Sequence, residues 1–165
     1  MDPGLTVLIV EDDADEAFLL QRAFREHGLM HSPHIVHNGQ EGIDYINSQG
    51  RFSDRERYRF PSLIILDLKM PGMDGFKVLE WIQEHPDFRV IPTIIWSASS
   101  DPRDVKHAYC LGANGYLRKP SKFEDLKSML GRALAHWDDC LKPMTNPGAP
   151  TCSDLKGRHP FSAVH

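Results

Sequence analysis

Cysteine is scarce. Cys110, Cys140 and Cys152 are the whole supply in 165 residues, and no two of them form a C-x-x-C pair. This excludes a disulfide framework and leaves no ligand spacing for a structural zinc, so free thiols in a reducing compartment are expected. Long apolar runs are missing as well. None approaches the roughly 20 residues that span a bilayer, and Met1 to Gly4 shows no basic region or signal pattern. The expectation is a cytoplasmic protein with no membrane contact. A basic field is also absent: the net charge is −4 and the pI about 6.1, which argues against nucleic acid as a partner. What remains is ordinary globular composition, 41% hydrophobic and 25% charged, with enough chain to bury one core without a staple. There is no internal repeat.

Five short apolar runs alternate with helical patterns. Leu5 to Val10 reads as a first strand that stops at Glu11, Asp12 and Asp13. Ala14, Ala17, Leu20 and Phe24 then share a helix face, and Gly28 marks its end. His34 to His37 is a short second strand. Asn38, with Glu41 three residues on, has capping-box spacing for a helix that buries Ile43 and Ile46 and ends at Gly50. After a charged loop, Arg51 to Ser62, the unbroken run Leu63 to Leu66 reads as a buried central strand leading into Asp67. Met70 to Gly75 is a turn, with Asp74 placed to cap a helix through about His85, before Pro86. Ile91 to Trp96 forms a fourth strand leading into Ser97. Asp101 and Pro102 open a fourth helix that ends at Gly112. Tyr116 and Leu117 are a fifth strand ending at Lys119. Ser121 and Glu124 have capping-box spacing for a last helix with Leu126, Leu130, Ala133 and Trp137 as its stripe. The folded domain is expected over 1–142, with 143–165 a flexible tail rich in Pro, Gly, Ser and Thr.

Strict alternation of strand and helix argues for a doubly wound α/β fold, a parallel sheet with helices on both faces. In such sheets the site lies beyond the carboxyl ends of the strands. The first strand delivers Glu11, Asp12 and Asp13 to that edge, the third Asp67, the fourth Ser97 and the fifth Lys119. Crowded carboxylates repel and call for a hard divalent cation, and Mg²⁺ favours such oxygen ligands. A lysine and a hydroxyl beside the metal suit the oxygens of a phosphoryl group, and an Asp carboxylate can itself accept one. Each residue alone has a plainer reading: Asp13 as a helix cap, Asp67 as a turn residue, Lys119 as a surface lysine. Four strands placing complementary groups at one edge outweigh those readings. A phosphohydrolase with two acids one residue apart does not fit, because the residue two beyond Asp67 is Lys69.

The segments Val10 to Asp13, Leu66 to Gly75, Ser97 to Ser99 and Gly112 to Pro120 together resemble the receiver domain of two-component response regulators. The likeness runs from about Leu5 to Trp137. It implies a flavodoxin-like (βα)5 domain, five-stranded with sheet order 2-1-3-4-5, of the stand-alone, chemotaxis-regulator-like kind found in bacteria. The longer loop before the third strand and the aromatic end of the last helix are similar to regulators that partner phytochromes. The resemblance implies that Asp67 takes a phosphoryl group from a sensor histidine kinase or a histidine phosphotransfer protein, becoming 4-aspartylphosphate. Asp12 and Asp67 would bind Mg²⁺ directly, Lys69 through its backbone carbonyl and Glu11 through water. Lys119 would pair with Asp67 and then with the phosphoryl oxygens, across a cis bond to Pro120. Ser97 would swing in to meet the phosphoryl group and Tyr116 would follow, altering the face of the fourth helix, fifth strand and fifth helix. For Tyr116 a plain core-packing role competes.

The expected product is a signalling switch that catalyses only its own phosphorylation and dephosphorylation, not a turnover enzyme. With no DNA-binding output domain expected after Trp137, its output would be contact with a downstream protein. A homodimer through the last helix is a further option, with Trp137 and Leu141 either supporting it or simply packed in the core. Asp13 stands where related regulators often have Asn, and Trp96 is bulkier than the aliphatic residue expected before Ser97. Lys69 and Ser99 fall where the family tunes phosphoryl lifetime. A phosphorylation-independent adaptor of the same fold and a small Mg²⁺-dependent phosphatase are the competing classes.

Overall fold

The computed structural model describes residues 4–28 and 32–140. The strands are β1 (Val7–Val10), β2 (His34–Val36), β3 (Leu63–Leu66), β4 (Thr93–Ser97) and β5 (Gly115–Arg118). The α-helices are α1 (Ala14–Glu26), α2 (Gly39–Ile46), α3 (Gly75–Glu84), α4 (Pro102–Cys110) and α5 (Phe123–Asp139). All strand pairs are parallel, in the order β2-β1-β3-β4-β5. This is the expected doubly wound, flavodoxin-like arrangement. The predicted tail, 143–165, and Leu141 lie outside the described residues.

Alternation along the strands splits the core in two. Leu8, Val10, Ile64, Leu66 and Ile95 face α2 and α3 together with Val78, Leu79 and Ile82. Val7, Ile9, Leu63, Ile65, Ile94 and Trp96 face the other way, against Leu20 and Phe24 of α1 and Leu126, Leu130 and Leu134 of α5. The α5 stripe therefore runs through Leu134 rather than the expected Ala133. Trp137 packs against this second layer, which is the core role foreseen as one of its two options.

Several boundaries move for identifiable reasons. Pro92 has no N–H to give a ladder, so β4 begins at Thr93 rather than Ile91, while the Pro92 carbonyl still accepts from Ile64. β2 stops at Val36 because the His37 N–H turns to Glu41 Oε2 at 3.0 Å. Glu41 thus reaches one residue beyond the Asn38 N–H of the predicted capping box, and Asn38 caps α2 by accepting the Glu41 N–H at 2.8 Å. Asp13, Asp74 and Asp101 cap α1, α3 and α4. The box predicted at Ser121 is absent. The α5 N-cap is Lys122, with no side-chain cap bond. The helix start follows Phe123, which packs on the second layer under the Arg22 guanidinium, 4.3 Å from its ring centre.

Candidate functional site

Three backbone hydrogen bonds at the carboxyl edge of the sheet fix the site before any side chain is placed. Glu11 N–H donates to the Val36 carbonyl at 3.0 Å, Asp67 N–H to Val10 at 3.0 Å, and Lys119 N–H to Ser97 at 2.8 Å. Each ties a site residue to the last residue of the neighbouring strand. Asp67 therefore emerges between β1 and β4, beside the β1–β3 boundary where the connections change direction, the expected place for a ligand in this architecture. Gly75 closes the floor. A Cβ there would lie 2.3 Å from the Asp67 carbonyl oxygen and 2.8 Å from Leu68 Cα, so only glycine lets the start of α3 approach this closely.

The structure brings Glu11, Asp12, Asp67 and Lys119 together as predicted. Glu11 is 1% and Asp67 4% exposed, while Asp12 lies open to solvent. One carboxylate oxygen from each of the three acids lies within 4.8 Å of the others. Lys119 Nζ sits 3.0 Å from Glu11 Oε2 and 3.4 Å from Asp67 Oδ2. The backbone N–H of Lys69 donates to Asp67 Oδ1 at 3.3 Å. Ser97 is fully buried at the end of β4, its Oγ accepting from the Ser99 N–H at 3.2 Å. Tyr116 is half-buried and donates its hydroxyl to the Ser99 carbonyl at 3.0 Å. Ser97 and Tyr116 thus meet through the loop after β4. In the same loop Ser99 Oγ donates to Asp104 Oδ2 at 2.5 Å.

The electrostatics follow from burial. Desolvation, reinforced by the Asp67 charge and only partly offset by Lys119, raises Glu11 to about 8. Desolvation also raises Asp67, against the pull of Lys119 and the Lys69 N–H. For Lys119, burial would lower the pKa, but hydrogen bonds to Glu16 and Glu11 and the Asp67 charge win, and the ammonium is held more firmly than usual. Two buried acids that resist ionising, with a third beside them, fit a hard divalent cation: the added positive charge would offset the mutual repulsion.

Sequence reasoning missed Glu16. Its carboxylate forms an ion pair with Lys119 Nζ from the first turn of α1. Local spacing suggests another role for it, because Asp13 and Glu16 have capping-box spacing. In that motif Glu16 would turn back to the Asp13 N–H. Here that N–H goes to Glu11 Oε1 at 3.2 Å, and Glu16 is released toward the lysine. One expectation is corrected: the Lys119–Pro120 bond is trans, with no cis peptide among the described residues. Trans is the lower-energy isomer by about 0.5–1 kcal/mol, and the lysine stem reaches Asp67 from it.

Fold and edge together define an α/β domain whose strand ends gather acids, a hydroxyl and an ammonium about one buried aspartate. Comparison with known proteins gives the family. The response regulator receiver domain model matches residues 7–131, and the chain belongs to that family. The response regulator Rcp1 of Synechocystis sp. strain PCC 6803 is 31% identical over 148 residues, 90% of this chain and 97% of its own length. A crystal structure of Rcp1 in its Mn²⁺-bound form superposes with a TM-score of 0.73 at 30% identity, covering 84% of this chain and 97% of that one. The response regulator RPA3017, in red light signalling of R. palustris, gives a TM-score of 0.81 at 30% identity, with 86% and 99% covered. The phosphorylated cyanobacterial phytochrome response regulator RcpA gives 0.78 at 27% identity, with 86% and 99% covered. Among the described residues no helix is long and apolar enough to cross a membrane.

Proposed function

We propose that the chain is a cytoplasmic response regulator that accepts a phosphoryl group on Asp67 in the presence of Mg²⁺ and so switches a protein-binding surface. The observation that carries this reading is the buried Asp67 carboxylate, 3.4 Å from the Lys119 ammonium and clustered with Glu11 and Asp12. Phosphoryl transfer requires little covalent help from the protein, only positioning and charge compensation. Asp67 Oδ attacks phosphorus, an Oδ–P bond forms, and the P–N bond of the donor phosphohistidine breaks, its imidazole taking up a proton. Asp12 and Asp67, with Glu11 through water and the Lys69 carbonyl, would hold the Mg²⁺, which supplies positive charge to the transferring oxygens. Lys119 takes the remaining oxygen contact. The chain is a phosphoacceptor that catalyses only its own phosphorylation and dephosphorylation.

A histidine kinase or phosphotransfer protein is the donor that the receiver-domain family implies. Phe18, 58% exposed, and Leu19, 38% exposed, give α1 an apolar patch next to the site for such a partner. After transfer, the phosphoryl oxygens offer acceptors for the Ser97 hydroxyl, and a turn of Ser97 toward them would loosen its bond to the Ser99 N–H. Tyr116, anchored on Ser99, is then freed to repack. The face formed by α4, β5 and α5 carries the output, to a downstream protein or a second copy of the chain. The likeness to the phytochrome response regulator RcpA and to RPA3017 of red light signalling supports a light-signalling kinase as the class of donor.

The test is NMR of the full chain with Mg²⁺ and beryllofluoride, a phosphoryl mimic. The amides of Ser97, Ser99 and Tyr116 should shift together and saturate, and Asp67→Ala should abolish the response. Shifts confined to the Asp67 loop would reject the switch, and no saturable response at all would favour an adaptor that works without phosphorylation.

A further inference from the structure

The opposite edge of the sheet holds a cavity that the phosphoacceptor chemistry does not use. Its volume is about 210 Å³, and it is lined by Thr6, Ser32, His34, Arg57 and Arg59. Thr6 precedes β1 and His34 opens β2, so the cavity lies at the amino ends of strands whose carboxyl ends lead to the acidic site. The arginines come from the charged loop before β3. That loop contains four, and their fates differ. Arg51 pairs with Glu41 at 2.9 Å. Arg55 spends its donors on the carbonyls of Ile46 at 2.7 Å and Tyr58 at 3.1 Å. Among the described residues, neither Arg57 nor Arg59 has a carboxylate partner. Two guanidiniums without a carboxylate partner line one cavity, and an anion there would be held by both.

The surroundings are built rather than loose. Tyr45 donates to the Arg59 carbonyl at 2.9 Å. Asp54 Oδ1 accepts the N–H groups of Glu56 and Arg57 at 3.0 and 3.3 Å. The His34 ring packs between Tyr45 and Tyr58, at centroid distances of 5.4 and 5.8 Å. Thr6 is held by Ser62 through its own N–H, at 2.9 Å, and its carbonyl, which leaves its hydroxyl for a ligand. Burial lowers the His34 pKa, so the neutral ring offers a directional N–H. Forked guanidinium donors with hydroxyl and imidazole groups match the oxygens of a tetrahedral dianion. At about 30 Å³ per water, the cavity holds roughly seven waters, below the ~300 Å³ at which drug-sized pockets begin.

We infer that this cavity binds a phosphate dianion, free or as a small monoester, on Arg57, Arg59, His34, Ser32 and Thr6. The site is separate from Asp67 and does not depend on its chemistry.

The test is a heteronuclear NMR titration of the full chain without Mg²⁺, using inorganic phosphate, glycerol phosphate and chloride at matched ionic strength. Phosphate should give saturable shifts at the amides of Thr6, Ser32 and His34, and chloride should give none. Arg57→Gln with Arg59→Gln should weaken the affinity at least tenfold. Both side chains are exposed, so the fold should survive, as an unchanged amide spectrum elsewhere would verify. Tighter saturation by glycerol phosphate assigns the site to monoesters, and equal saturation assigns it to the free ion. Shifts that never saturate, that chloride reproduces, or that persist in the double variant would overturn the inference.

Discussion

Lys119 is shared by three carboxylates, and the one that sequence reasoning passed over has the most freedom to let go. Glu11 and Asp67 are buried, whereas the Glu16 side chain is 40% exposed. On the proposed function the ammonium would turn to the phosphoryl oxygens once Asp67 is phosphorylated, and Glu16 would compete with them. Glu16→Gln should raise the rate of phosphorylation by a small donor several-fold, with metal affinity changed little, as stopped-flow quenching of a nearby tryptophan would report. An unchanged or lower rate would make Glu16 a mere surface partner. Glu11 gives a pH prediction. Its folded-state pKa is raised from 4.5 to about 8, so the metal-free native state holds a proton that the unfolded chain releases. That contribution to stability is full below about pH 4.5 and is lost as the pH rises toward about 8. The urea midpoint of the metal-free protein should fall across this window more steeply than that of Glu11→Gln. A parallel pH dependence for the two would contradict the burial argument.

Among the strands, β4 carries a buried donor with no partner. Trp96 is 4% exposed, and its Nε1 finds no acceptor among the described residues. A buried donor left unpaired costs on the order of 1–3 kcal/mol. Trp96→Phe removes that cost while giving up ring volume, so its net effect on stability should stay within about 1 kcal/mol, whereas cutting a buried aromatic to alanine costs about 3–5 kcal/mol. Denaturant unfolding decides this, and a loss above ~3 kcal/mol for the phenylalanine variant would mean the indole N–H is in fact satisfied. Gly75→Ala should destabilise by about 1–3 kcal/mol through overpacking and displace Asp67, seen as weaker metal binding; a neutral effect on both would show that α3 can retreat from the Asp67 carbonyl. The existence and order of the elements were legible because four of the five strands are apolar runs closed by an acid, a hydroxyl or a lysine, and helical patterns separate them. Two of the boundaries that moved have local causes: Pro92 withholds a donor and Glu41 turns to His37. The third was set by a tertiary contact that local pattern does not carry, Phe123 docking under Arg22. Glu16 escaped notice for that second kind of reason, since its partner lies 103 residues away.

The whole molecule is a sheet with opposite chemistry at its two ends. The carboxyl edge gathers Glu11, Asp12, Glu16 and Asp67 around one lysine, and the amino edge gathers Arg57, Arg59 and His34. A cation bound at the first edge would stabilise the native state by mass action, by about 2.7 kcal/mol at a hundredfold excess over its dissociation constant. Millimolar Mg²⁺ should therefore raise the melting temperature of the native chain but not that of Asp12→Asn combined with Asp67→Asn; an equal rise in both would place the ion elsewhere. The candidate site was legible in the sequence to the extent that its members end strands, because strand order alone brings strand ends together. The amino-edge cavity was not, because its arginines lie in a loop whose path is set by Tyr45, Asp54 and Arg55.

The most direct test of the central claim is the intact mass of the full chain after incubation with a small phosphodonor and Mg²⁺, beside Asp67→Asn and a chelated control. The predicted result is one added phosphoryl group on the native chain and none in either control. An adduct that persists in Asp67→Asn, or none on the native chain while Mg²⁺ is bound, would contradict the assignment of Asp67 as phosphoacceptor.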